Sequence, residues 1–143
     1  MDENYDSGEI LMQGSFDIKP YMTGGSLRTK SAKVAEIMVG QLLNDLEENT
    51  IIPVKQNEEK MTYDRWTSDL RIIDFEMEPP LCLHNKIRGL RPFQYPIVQY
   101  KNFNYKVKHS ELILEENKET GITKKGKNIF ARYKDCTLKL TLL

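Results

Sequence analysis

Asn128-Ile129-Phe130-Ala131-Arg132-Tyr133-Lys134-Asp135-Cys136-Thr137-Leu138-Lys139-Leu140-Thr141-Leu142 runs almost to the end of the 143-residue chain. Two runs rich in aromatic, β-branched and apolar residues flank the polar pair Lys134-Asp135, which is the pattern of strand, turn, strand. Moving upstream, Lys124-Lys125-Gly126-Lys127-Asn128 and Glu119-Thr120-Gly121 supply turn chemistry. Residues 97–107 and 111–115 read as further strands. The C-terminal third is therefore expected to be an antiparallel sheet.

The clearest helix lies nearer the start. From Ser31, a candidate N-cap, Val34, Ile37, Met38, Leu42 and Leu46 recur at helical spacing, and Ala35, Val39 and Leu43 broaden the stripe. Glu36, Gln41, Asn44 and Glu48 take the other side, and the helix is expected to end near Asn49. Before it, residues 10–22 have strand character, with Pro20 marking an edge or an end, and Thr23-Gly24-Gly25-Ser26 is a turn by residue type. Residues 70–78 read as a strand whose phase shifts at Ile72-Ile73, as a bulge would shift it. Pro79-Pro80 is expected to stop that strand, and 81–96, with Gly89, Pro92 and Pro96, to be a long irregular connection. The expected class is α+β: a single domain over 10–143, one long amphipathic helix packed on a mostly antiparallel β-sheet, preceded by an acidic flexible tail over 1–9.

The formal net charge is zero, yet the signs are segregated along the sequence. Residues 1–78 carry 16 acidic against 8 basic side chains, and 79–143 carry 5 against 13. No acidic residue falls between Glu78 and Glu111, where Lys86, Arg88, Arg91, Lys101, Lys106 and Lys108 alternate with Phe93, Tyr95, Tyr100, Phe103 and Tyr105. Such a window points to a polyanion or an anionic surface. Arg88, Arg91, Lys101, Lys106 and Lys108 are the candidate anion contacts, with Lys124, Lys125 and Lys127 extending the same surface. The bland alternative is an ordinary strand, with Phe103, Tyr105 and Val107 on its buried face.

Motifs for specific chemistry are missing. Cys82, His84, His109 and Cys136 do not have the paired spacings of a structural zinc site. Neither histidine lies in a nucleophile motif. Asp74, Glu76 and Glu78 would share one face of a strand, where like charges belong in water. The Gly24-Gly25 turn runs toward a helix start but does not have the spacing of a phosphate-binding P-loop. Two cysteines make no disulfide framework, and no apolar run is long enough to span a bilayer. No catalytic residue, metal or cofactor is expected.

Ser15-Phe16-Asp17-Ile18-Lys19, then Gly25-Ser26-Leu27-Arg28-Thr29, then the helix resembles the opening of the globular domain of rhabdovirus matrix proteins. The closing strand–turn–strand is similar to one late in that domain. The resemblance implies a structural protein that self-associates, condenses a nucleocapsid and binds anionic membranes. Two departures stand out: the family's lysine-rich tail is replaced by the acidic segment 1–9, and Pro79-Pro80-Leu81-Cys82 does not complete a P-P-x-Y budding motif.

These readings lead to an expectation of a non-enzymatic, matrix-like viral protein or a shortened relative, in the host cytoplasm or the virion. It would be a homo-oligomer through head-to-tail charge contacts, touching nucleoprotein, nucleic acid or membrane and taking no small-molecule substrate. The alternative is a single-stranded nucleic-acid-binding module with an OB-like sheet, with Phe93, Tyr95, Tyr100 and Phe103 stacking on bases.

Overall fold

The computed structural model describes residues 8–60, 62 and 65–143. The expected acidic tail, apart from Gly8 and Glu9, lies outside the described residues. The described residues form two compact units, one from residues up to Lys19 with Leu27–Arg65, the other from Pro20–Ser26 with Trp66–Leu143.

The first unit is built on helix α1, Gly24–Glu47, most of which belongs to it. The helix starts well before Ser31, because Thr23 and Ser26 cap it reciprocally: Thr23 N donates to Ser26 Oγ (2.8 Å) and Ser26 N donates to Thr23 Oγ1 (3.3 Å). Residues 10–22 do not form the expected strand. What remains of it is one antiparallel bridge, Ile10 with Val54, closed by backbone bonds of 2.8 and 3.0 Å. Met38 and Val34 come close to Gly14, and Lys30 sits 4.5 Å from the Phe16 ring centre. None of the residues of α1 is fully buried, and Ile37, Val39, Leu43 and Leu46 are exposed.

The second unit holds a six-stranded sheet: β1 Ile72–Ile73, β2 Ile97–Tyr100, β3 Phe103–Leu114, β4 Gly121–Lys125, β5 Asn128–Arg132 and β6 Cys136–Leu142. The order is β1-β2-β3-β6-β5-β4, with β1 parallel to β2 and the remaining pairs antiparallel. Helix α2, Pro80–Leu90, packs on β3 and β6 and buries Leu83 and Ile87. These join Ile73, Val98, Val107, Ile129, Leu138, Leu140 and Leu142 in one core. Each such Leu or Ile side chain contributes about 1.5–3 kcal/mol by leaving water.

The expectation of one long helix on a mostly antiparallel sheet is therefore corrected. The sheet is mixed, the described residues hold two α-helices, and the one packed on the sheet is α2. Residues 81–96 were expected to be irregular because Pro79-Pro80 reads as a stop. Proline at the first helical position is equally a start, since its fixed φ suits the helix and its absent N–H would have had no partner there. The expected 70–78 strand shrinks to β1. Asp74 Oδ1 accepts from Glu76 N (2.9 Å) and Met77 N (3.2 Å) and turns the chain out of the sheet. Residues 97–107 split into β2 and β3 at a hairpin in which Lys101 takes φ 55°.

Candidate functional site

The register of β3 slips between Val107 and His109 against β6. Such a bulge leaves an extra residue in one strand and redirects the side chains around it. Val107 and Ser110 are buried, while Lys108 and His109 between them are both exposed. Opposite the bulge, α2 presents His84, Ile87 and Arg88. The turn ahead of α1 completes the wall, held close because Gly25 N donates to Arg91 O at 2.9 Å. A Cβ on Gly24 would fall 2.0 Å from Gly89 O, so only glycine permits this approach.

These segments line an open cleft of about 670 Å³, bordered by Pro20, Tyr21, Thr23, Gly25, Ser26, His84, Ile87, Arg88, Arg91, Pro92 and Lys108 through Leu112. That volume suits a small-molecule ligand. Arg88 is held by donating Nε to Asn85 Oδ1 (2.9 Å) and Nη1 to Met22 O (2.6 Å). Arg91 lies over the Tyr95 ring at 4.6 Å, and its Nη1 is buried with no hydrogen-bond partner. His84 Nδ1 and Ser110 Oγ are hydrogen-bonded at 2.9 Å. Burial first, then the charges of Arg88 and His109, hold the His84 imidazole below its ordinary range, so it is neutral at neutral pH. The one carboxylate of the lining, Glu111, is paired with Lys139 at 3.1 Å. The cavity is therefore cationic and suited to an anion.

Of the eight candidate anion contacts, the fold brings Arg88, Arg91 and Lys108 to this cavity. The other five lie elsewhere. Lys101 is at the β2–β3 hairpin, 5.7 Å from the Tyr100 ring, and Lys106 is exposed on β3. Lys124 stands 5.1 Å over Tyr105 and donates to Gly126 O, Lys125 is exposed at the end of β4, and Lys127 is in the β4–β5 turn. Phe103, expected on a buried face, is 65% exposed. The sequence reading missed Tyr21 and Ser110, and set aside the turn that carries Thr23 and Ser26 because it has no P-loop spacing. Cys136 is buried in β6 and Cys82 exposed on α2, and no group of three or more metal-ligating side chains converges among the described residues.

Over its whole length the chain has the fold of about half of two solved transferases. One is the N-formyltransferase of Helicobacter canadensis in complex with folinic acid and dTDP-3-aminofucose: TM-score 0.78, 18% identity, 100% of this chain and 53% of that one. The other is WlaRD, a sugar 3N-formyltransferase solved in the presence of dTDP and 5-N-formyl-THF: TM-score 0.76, 20% identity, 100% and 52% coverage. In sequence, the methionyl-tRNA formyltransferase of Lachnospira eligens is 31% identical over 138 residues, 91% of this chain and 44% of that protein. That of Synechococcus sp. (strain JA-3-3Ab) is 33% identical over 95 residues, 64% and 29%. The chain thus spans about half or less of the length of the proteins it matches. No family model matches it.

These findings overturn the functional expectations. Relatives and structural neighbours are formyltransferases, so the rhabdovirus matrix resemblance fails; it rested on the order of strand, turn and helix, which unrelated folds share. The non-enzymatic, self-associating viral structural reading falls with it, because the matching proteins are enzymes, and the single-stranded nucleic-acid-binding module finds no support, because none of these matches is such a module. The exclusion of a small-molecule substrate is also overturned, since the neighbours hold folate derivatives and a sugar nucleotide or its dTDP part. Head-to-tail charge contacts, nucleoprotein and membrane lose their basis as partners. The acidic and basic halves of the sequence do not coincide with the two structural units: residues 66–78 of the acidic half belong to the unit that holds 79–143, and there Lys86 pairs with Glu78. No helix among the described residues is long and apolar enough to cross a membrane.

Proposed function

We propose that this chain is part of the machinery of an N-formyltransferase that moves a formyl group from a formylated tetrahydrofolate to the primary amine of a nucleotide-linked amino sugar. In that reaction the amine nitrogen attacks the formyl carbon, the carbon–nitrogen bond to the folate breaks, and the proton the amine gives up is balanced by one taken up at the departing folate nitrogen. The single observation that carries the reading is the overlap of the whole chain with two N-formyltransferases, at TM-scores of 0.78 and 0.76. The sequence relatives supply independent support, because they too are formyltransferases. A cationic cavity sized for a small molecule accords with a phosphorylated acceptor. A cytoplasmic location accords with such substrates.

The sequence relatives also favour a second acceptor, the amino group of methionyl-tRNA. Both are tested by incubating the purified protein with a formylated tetrahydrofolate and either dTDP-3-aminofucose or methionyl-tRNA, and following the product by mass spectrometry. Formylated sugar nucleotide is the expected product. Formylation of the tRNA alone would transfer the reading to that acceptor. No new amide with either would overturn formyl transfer.

A further inference from the structure

We propose that the exposed apolar stripe of α1 is a docking face, and that its occupant is the half of the formyltransferase fold that this chain does not span. That choice of occupant rests on the shared fold, and neither the reaction nor the acceptor enters it.

The first unit has no core of its own. Among its described residues no side chain is buried, whereas the second unit holds the whole cluster around Leu83 and Leu138. Ordering a long helix costs chain entropy, which is recovered mainly by packing an apolar face. Here α1 is packed on one side only. Val34, Met38 and Leu42 are half-buried, and Val34 and Met38 lie against Gly14.

A second apolar side stays open. Ala32, Ala35, Val39, Leu43 and Leu46 recur in steps of three and four, so they share a face. All five are exposed, the three larger ones by more than half. At Val39 the stripe runs into an open groove of about 280 Å³ whose lining is wholly apolar and includes Leu11 and Met12. A helix with two apolar sides belongs between two layers, and an exposed patch of this kind marks an interface.

The comparisons choose the occupant. All of this chain superimposes on 53% and 52% of the two N-formyltransferases, so the rest of that fold is a body of comparable size with no counterpart among these residues. Leu11, Ile52 and Val54 are exposed as well, on the two segments joined by the Ile10–Val54 bridge. Half a transferase is broad enough to cover all of this area, whereas pairing α1 with α1 of a second copy covers the stripe alone. An anionic bilayer fits poorly: from Val34 to Glu47 the helix carries Glu36, Asp45 and Glu47 and no lysine or arginine.

The test compares this chain with a chimera in which it takes the place of the segment it matches in the Lachnospira eligens methionyl-tRNA formyltransferase, with no formyl donor or acceptor present. Hydrogen exchange of the 35–46 amides should slow by about tenfold or more in the chimera. Leu43→Glu should leave the melting midpoint of the chain alone nearly unchanged and lower that of the chimera by several degrees. Equal exchange in the two proteins, or a chimera that tolerates Leu43→Glu as the chain alone does, would overturn the docking face. So would a chimera that aggregates while the chain alone stays monomeric. Sedimentation of the chain alone as a dimer that Leu43→Glu dissociates would hand the face to a second copy. Binding to phosphatidylserine vesicles that is lost in Leu43→Glu would hand it to a membrane. A chimera that transfers formyl groups while its 35–46 amides exchange as fast as in the chain alone would sink the docking face and keep the proposed reaction. Protected 35–46 amides without formyl transfer would do the reverse.

Discussion

His84 Nδ1 and Ser110 Oγ meet at 2.9 Å, joining the middle of α2 to the strand just past the β3 bulge. Ser110 is 3% exposed, and its hydroxyl can serve a neutral imidazole as donor or acceptor. Protonating His84 would put a charge into a partly buried site already facing Arg88 and His109, which is why its pKa is lowered.

A pH dependence follows. In the unfolded chain the imidazole titrates near about 6.5, and in the folded chain it titrates lower. Between those two values the unfolded state holds the extra proton, so stability falls as pH drops through the unfolded value and levels off below the folded one. Urea midpoints measured from pH 8 down to 5 should therefore fall more steeply in the wild type than in His84→Gln. Equal slopes would show that His84 is not held neutral.

Two glycines of α1 should respond in opposite directions to alanine. At Gly24 an added Cβ would lie 2.0 Å from Gly89 O and 3.0 Å from Arg91 O, both backbone atoms. The start of α1 must then move off the end of α2, at about 1–3 kcal/mol. At Gly40, in the middle of the same helix, nothing lies within 4 Å. Gly40→Ala removes chain entropy from the unfolded state and should stabilise by about 0.5–1 kcal/mol. Thermal melts of the two variants check both signs, and a neutral Gly24→Ala would contradict the close approach.

The sheet was easier to read than the site. β5 and β6 lie where their alternation and the Lys134-Asp135 break put them, because a strand pattern and its turn are local. Helix α2 was hidden because Pro79-Pro80 can end an element or begin one, and only packing on β3 and β6 decides between them. The basic window drew attention to Arg88, Arg91 and Lys108, but charge alone could not separate them from Lys101 and Lys106. For Arg88 and Arg91 that separation depends on helix α2, and for Lys108 on one slipped register in β3, a pairing with β6 that no periodicity within β3 encodes. Tyr21, Thr23 and Ser26 join the cavity from a turn far away in sequence, brought there by the glycine contact with 89–91. The charge segregation along the chain misled because charge alone names no partner, and the fold sets Glu78 of the acidic half against Lys86 of the basic one.

Asn117 braces the turn between β5 and β6. Its Nδ2 donates to Tyr133 O (2.8 Å), Cys136 O (3.1 Å) and Thr137 Oγ1 (3.1 Å), sharing two hydrogens among three acceptors. Asn117→Ala would remove the side-chain donor shared by these part-buried acceptors, leaving Cys136 O only its bond from Tyr133 N, and should cost about 1–3 kcal/mol. Asn117→Asp replaces the donor with an acceptor and should cost at least as much. Chemical denaturation measures both, and hydrogen exchange at Tyr133 should rise in step, since Tyr133 N donates to Cys136 O across this turn.

Lys86 fastens α2 to the start of the sheet. Its Nζ donates to Ile72 O at 2.8 Å and to Glu78 Oε1 at 2.6 Å, and both side chains of the pair are mostly covered, 19% and 30% exposed. A surface pair of this kind would be worth little. Here the carbonyl of β1 shares the ammonium, and removing Lys86 leaves both acceptors wanting. Lys86→Met keeps an unbranched stem and deletes the charge, so it should cost about 1–3 kcal/mol. Glu78→Gln alone should cost less, because Lys86 keeps its bond to Ile72 O. The double variant should cost less than the sum of the two, and the difference measured in a double-mutant cycle is the coupling of the pair. Strict additivity would mean that Lys86 acts through Ile72 and the hydrophobic stem, with Glu78 contributing nothing.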